Sequence, residues 1–251
     1  AYIGDGAHKL PANNNCKIFC YSHIGDAEMV IGRTSAGINS LEDLAGKTVG
    51  YASGTSSETM LQRALEDAGL TMDDIVPYDM DTSNMVTAMV SGDLDACATW
   101  SPNTWQILNE LDDAERLCSP MDYSDKYVAL SSFVVMEDWM NENHDVLIRF
   151  TRALLKAMDY AALEENLGQV SEWVATQLAS DVETVELQSH DGNWLTGEEL
   201  YAAVQDGTIE GYYQLQLDQM IVNGTAPEGT QVTDYVMFDV MTEAAESLYG
   251  E

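Results

Sequence analysis

The sequence predicts an α/β protein of two lobes, on three observations. Between residues 47 and 110 short apolar strands alternate with amphipathic helices, the pattern of a parallel sheet covered by helices. Beyond residue 136 the pattern turns mostly helical. The chain has 251 residues, 45% of them hydrophobic and 21% charged, enough to fill two lobes rather than one.

The elements follow in order. Cys16 and Cys20 flank "KIF" in a stretch that reads as a strand. Along a strand that separation is about 13 Å, too far for a mutual disulfide. No paired CxxC units or neighbouring histidines accompany Cys16, Cys20, Cys97 and Cys118, so they read as plain buried thiols. "KTVGYA", 47–52, is a strand, and 57–68 is a helix with Met60, Leu61, Ala64, Leu65 and Ala68 on one face. Gly69 stops it, Thr71 with Asp74 has the spacing of a one-turn cap, and "IVPYDM" is a second strand. Val86, Met89 and Val90 line a short helix, "ACATW" is a third strand, and "SPNTWQILNEL" opens a helix with Pro102 near its first turn. "YVALSSFVVM", 127–136, is a buried strand. Helices follow over 145–163 and through Val170, Trp173, Val174 and Leu178. Two more begin where Ser180 with Glu183, and Thr196 with Glu199, have capping-box spacing. A loop over 222–232 and a helix over 234–248 close the chain.

Charge excludes one class of partner. Ten Lys and Arg stand against 43 Asp and Glu, a net charge of -33, so a polyanion meets repulsion and gains little from counterion release. Nucleic-acid binding is not expected. No apolar stretch approaches the roughly 18 residues that span a bilayer, and "AYIGDGAHKL" has neither a basic leader region nor a cleavage site. The expectation is a soluble chain, mature or truncated.

The stretch "GKTVGYASGTSSETMLQRALEDAGL", 46–70, carries the chemistry. Gly54 permits close backbone approach, and Thr55, Ser56 and Ser57 add hydroxyls to the free N–H groups of the following helix turn. The positive end of a helix dipole can hold an anion without Lys or Arg. The other reading is a helix cap at Thr55 or Ser56, with Glu58 complementing the dipole. Two enzyme patterns fail. A phosphate loop would need glycine where Leu41 stands, and "GKT" enters a strand. A nucleophile elbow would need glycine where Glu58 stands, and none of His8, His23, His144 or His190 is tied to Ser56 by spacing. Trp100 ends the third strand, at the edge where open α/β sheets bind ligands, though Trp is equally a core residue. Gly4, Asp5 and Gly6 form a tight turn with N–H groups behind it, or simply a turn.

"SLEDLAGKTVGYASGTSSETMLQRALEDAGL", "VTAMVSGDLDACATWSP" and "NWLTGEEL", together with "AYIGDG" and "YSHIGDAEMVIG", resemble the substrate-binding proteins of ABC importers for taurine, aliphatic sulfonates and nitrate, over nearly the whole chain. The resemblance implies a type II periplasmic-binding fold, two α/β lobes joined by crossing strands near 28–34 and 130–136, with the ligand in the cleft. Lobe I would be 1–33 and 130–251, without the strand–helix units that open family members, and lobe II 34–129. Carried over, Thr55, Ser56 and Ser57 match the oxyanion loop, Trp100 the aromatic wall, and Gly4, Asp5 and Gly6 the facing loop. Ser131 stands where taurine binders carry an acid, so an ammonium would need Asp5, Asp26 or Glu28 instead. His23, in "YSHIGDAEMVIG", completes the candidate ligand residues. The implied function is non-catalytic capture of a small organic anion, taurine or another alkyl sulfonate, outside the cytoplasm, by a periplasmic or lipid-anchored monomer that serves an ABC permease, with no cofactor, metal or nucleic acid. Nitrate, a thiamine-pyrimidine precursor, or an enzyme of the pyrimidine-synthase type are the alternatives.

Overall fold

The computed structural model describes residues 2–3, 15–222 and 224–250. Its strands are β1 (Tyr2–Ile3), β2 (Cys16–Gly25), β3 (Glu28–Arg33), β4 (Thr48–Tyr51), β5 (Val76–Asp79), β6 (Ala96–Trp100), β7 (Ala114–Cys118), β8 (Leu130–Met136) and β9 (Gly192–Trp194). Its α-helices are α1 (Ser56–Asp67), α2 (Thr82–Ser91), α3 (Asn103–Glu110), α4 (Glu137–Glu142), α5 (His144–Ala162), α6 (Leu167–Leu178), α7 (Val182–Gln188), α8 (Gly197–Gln205), α9 (Thr208–Val222) and α10 (Phe238–Tyr249). The chain divides into two compact units. The first holds Ala1–Gly25, Ser124–Val182 and Gly192–Glu251; the second holds Asp26–Tyr123 and Glu183–Asp191.

The second unit is built on a five-stranded sheet of order β5-β4-β6-β3-β7. Its inner strands β3, β4 and β6 are mostly buried because both faces are covered, and the two-residue period sorts their side chains. Ala96, Ala98 and Val30 join Met60, Leu61 and Leu65 of α1 on one face, while Cys97, Met29 and Ile31 join Met85, Met89 and Ile107 on the other. β4 pairs in parallel with β5 and β6, as strand–helix alternation requires. The sheet is nonetheless mixed, since β3 runs antiparallel to both β6 and β7. "AERLC" of β7 has partly exposed, polar positions and gave no strand signal in the sequence. Pro77 fits because β5 is an edge strand whose four residues are all exposed.

The first unit carries a four-stranded antiparallel sheet of order β1-β8-β2-β9. Helices α5, α8 and α10 pack together, and α10 also packs on β2. Thr196 and Glu199 close the expected capping box at α8, from the Thr196 N–H to Glu199 Oε2 at 2.8 Å and from the Glu199 N–H to Thr196 Oγ1 at 3.1 Å. Asp159 of α5 ties the layer together, accepting from the Gly197 N–H at 2.8 Å and from the Tyr249 hydroxyl at 2.5 Å. A Cβ on Gly197 would run into Tyr249 Oη and stand 2.9 Å from the Leu155 carbonyl oxygen. Gly197→Ala is therefore expected to destabilise the protein by on the order of 1 kcal/mol, read from the urea midpoint.

The closing helix begins at Phe238 rather than 234, behind a 3-10 turn over Val232–Asp234. Val236 bridges to Ile18 there: the Ile18 N–H donates to the Tyr235 carbonyl and the Met237 N–H to the Ile18 carbonyl. That backbone pairing to β2 holds the segment out of a helix. All four cysteines are free, and Cys16 and Cys20 share β2 as expected.

Candidate functional site

In the second unit β4 and β6 are parallel neighbours, so the segment that leaves β4 and the end of β6 stand at one edge of the sheet. This brings Thr55, Ser56, Ser57 and Trp100 to the same carboxyl edge. Trp100 belongs to the face that also carries Ala96 and Ala98, the face covered by α1. It is half-buried and lies directly opposite Glu28 of β3. A cis peptide, Ser101–Pro102, follows it.

The three hydroxyls have different duties. Thr55 is the N-cap of α1: its Oγ1 accepts from the Ser57 N–H at 3.2 Å and donates to the Ala52 carbonyl at 2.7 Å. Ser57 is 0% exposed, and its Oγ accepts from the Ala52 N–H at 3.0 Å. Ser56 is exposed at the first position of a twelve-residue helix, where the dipole is most positive. Gly54 has φ 71°, which a side chain would strain, and its N–H donates to Glu58 Oε2 at 2.7 Å. The Ser53 N–H and hydroxyl both bond to Asp79, holding that carboxyl below the usual range. The loop is thus pinned at both ends by its own polar groups, with Ser56 turned outward.

Further carboxylates stand in this unit. Asp191 accepts from the Trp105 indole N–H at 2.7 Å, and its carbonyl oxygen accepts from the Asp26 N–H at 2.7 Å. Asp26 accepts from the Met121 N–H at 2.9 Å and lies 3.9 Å from Arg116. Burial raises both carboxyls above their ordinary values. Trp105 also packs on His190 at 5.8 Å between ring centroids. Sequence reading gave no role to Asp191 or Trp105, because segment 183–191 joins this unit from far along the chain and no local pattern announces it.

In the first unit the register places Ser131, His23 and Trp194 side by side across β8, β2 and β9. Directly paired residues of neighbouring strands share a face. His23 is 8% exposed, Ser131 is buried, and the His23 and Trp194 rings lie 3.8 Å apart. Ser22 Oγ and His23 Nδ1 are hydrogen-bonded at 3.0 Å, and burial lowers the imidazole pKa to about 4, so it is neutral. Gly4, Asp5 and Gly6 lie outside the described residues.

The hydroxyl loop and Trp100 thus stand at the carboxyl edge of the second unit's sheet, where open α/β sheets bind ligands. The NMT1/THI5-like family model matches residues 25–165. A protein of Brucella abortus (strain 2308), named only as a candidate binding protein, is 30% identical over 241 residues, covering 96% of this chain and 74% of its own. The chain belongs to the NMT1/THI5-like family. Three solved structures share the fold. The periplasmic aliphatic sulphonate binding protein SsuA from Escherichia coli has TM-score 0.66 and 18% identity, over 96% of this chain and 80% of its own. The periplasmic nitrate-binding protein NrtA from Synechocystis PCC 6803 has TM-score 0.59 and 12% identity, over 93% and 68%. The desulfurization enzyme DSZB has TM-score 0.67 and 14% identity, over 96% and 82%. Among the described residues no helix is long and apolar enough to cross a membrane.

Proposed function

We propose that this chain captures a small organic anion, a sulfonate before others, outside the cytoplasm and delivers it to an ABC permease without transforming it. The observation that carries the reading is Ser56: an outward hydroxyl at the positive end of α1, on the sheet edge that also holds Trp100. A sulfonate head takes several N–H and O–H donors at once, and an indole covers an apolar tail. Such donors serve a chain of charge -33 better than a cationic site would, since at physiological salt the Debye length of about 8 Å screens the distant carboxylates. Glu58 already fills the Gly54 N–H, so the anion is left to Ser56 and the helix end. Thr55 and Ser57 hold the loop in shape. Taurine and other alkyl sulfonates are the first compounds to test. Glu28 beside Trp100, with Asp26 and Asp191 in the same unit, supplies carboxylates for an amino group. The protein is proposed to act as a monomer, periplasmic or held by a lipid on the outer face of the membrane, with no nucleic-acid partner.

The fold also serves an enzyme, DSZB, and pyrimidine-synthase chemistry is the enzymatic alternative. A thiol nucleophile needs a lowered pKa. Here burial pushes Cys20 and Cys97 up to about 12 and Cys118 up to about 11, which suits structural thiols. A thermal-shift series with alkyl sulfonates, nitrate and pyrimidine precursors tests the reading. A sulfonate at 100 times its Kd is expected to stabilise the protein by about 2.7 kcal/mol. Stabilisation by nitrate or a pyrimidine alone, or steady turnover of the ligand, would replace it.

A further inference from the structure

We infer that the first unit encloses an internal water site, where one bound water or a short chain of them joins Tyr21, Gln216 and Tyr235 to the hydrogen-bonded pair Ser132 and Tyr213. The inference does not depend on the anion reading above. Ser132 Oγ of β8 and Tyr213 Oη of α9 are hydrogen-bonded at 2.7 Å, and both residues are 0% exposed. Tyr21 of β2 pairs with Ser132 in register and so stands on the same face of the sheet. Gln216 lies three residues on from Tyr213, on the same buried side of α9. Tyr235 is held by its carbonyl, which accepts from the Ile18 N–H of β2 at 2.7 Å, and it is near enough to Tyr213 to raise that phenol's pKa, as Tyr21 also does. Sheet, helix and turn thus bring five polar side chains together inside one unit.

Three of these side chains lack a protein partner. Tyr235 Oη and Gln216 Oε1 have no hydrogen bond among the described residues, on residues 2% and 9% exposed. Tyr21 Oη, on a residue 0% exposed, feels the Ile24 backbone dipole but makes no hydrogen bond with it. The Ser132–Tyr213 pair adds a demand of its own: two hydroxyls hold two protons, the bond between them uses one, and the other needs an acceptor outside the pair. A buried polar atom without a hydrogen bond costs a sizeable part of a protein's small net stability, so folded chains meet such needs with ordered water. The chemistry of the set selects water over other guests. Two phenol O–H groups want an acceptor and the Gln216 carbonyl wants a donor, and water serves both. An ion would find no opposite charge, because burial raises the pKa values of Tyr21, Tyr213 and Tyr235 and keeps the phenols neutral. An apolar guest would leave every demand standing.

If the hydroxyls are instead unbonded, removing one relieves a cost, so the sign of the effect separates the two cases. Tyr235→Phe is expected to lower the melting temperature of the ligand-free chain by about 2–4 °C, the shift for one lost hydrogen bond in a chain of this size. Tyr21→Phe gives the same comparison should Tyr235→Phe not fold. A crystal structure of the wild type with its ordered solvent is the direct check. Solvent density at hydrogen-bonding distance from Tyr235 Oη and from at least one other member of the set is expected, and its loss in crystals of Tyr235→Phe. A melting temperature unchanged or raised in the phenylalanine variants, or wild-type crystals with no solvent bridging Tyr235 Oη to another member, overturns the water site and leaves the anion reading untouched.

Discussion

Ser56→Ala is expected to weaken sulfonate binding by about ten- to hundredfold, the worth of one hydrogen bond to a charged group, while the melting temperature of the ligand-free protein stays where it was. The neighbouring hydroxyls should behave otherwise. Ser57 Oγ is buried and accepts from the Ala52 N–H, so Ser57→Ala leaves that part-buried donor without its partner. That costs about 1–3 kcal/mol of stability before any ligand is added. Thr55→Ala removes the N-cap, worth about 1 kcal/mol. A double replacement of Ser56 and Ser57 would mix these effects, so the single variants are the informative ones. Calorimetric titration reads the affinities and thermal unfolding reads the apo stabilities. Unchanged sulfonate affinity in Ser56→Ala would remove the exposed hydroxyl from the site and leave the loop as a capped turn and nothing more.

The same three residues show how far sequence could go. The run "SGTSSE" identifies a helix start with more hydroxyls than a cap needs, and the structure has both features, a Thr55 cap and a spare Ser56. Which hydroxyl does which job was not legible, because it depends on where the Ala52 backbone ends up in three dimensions. β4, α1, α2 and β6 were legible because each buries an apolar face against its neighbours in sequence. β3 and β7 enter the same sheet antiparallel, and β7 shows almost no apolar alternation, so the mixed sheet was not legible. The row Ser131, His23, Trp194 joins positions more than 60 residues apart through strand register alone. The only sequence signal for Trp194 was its place in "NWLTGEEL", and for the buried Asp191 there was none.

His23 should give the molecule a measurable acid sensitivity. Burial lowers its folded pKa to about 4, against 6.5 for the free side chain. Between those values the unfolded chain binds a proton that the folded chain refuses. The stability this residue contributes is therefore complete above pH 6.5 and is lost as pH falls from 6.5 towards 4, by about 3 kcal/mol. Asp26 and Asp191 act in the opposite sense. Burial raises their folded pKa values, so their ionisation at neutral pH opposes folding, and acidification relieves that penalty. The wild-type curve sums these contributions with those of the other carboxylates, and only a difference isolates the histidine. His23→Gln removes the titration and is expected to lower stability at neutral pH, through the lost contact with Trp194 and the lost bond to Ser22. Between neutral pH and about pH 4 it should then lose about 3 kcal/mol less than the wild type does. Urea unfolding at three pH values across that window gives the comparison. Parallel curves for the two proteins would mean that the imidazole is not held neutral against Trp194, and the uncharged row on the first unit's sheet would go with it.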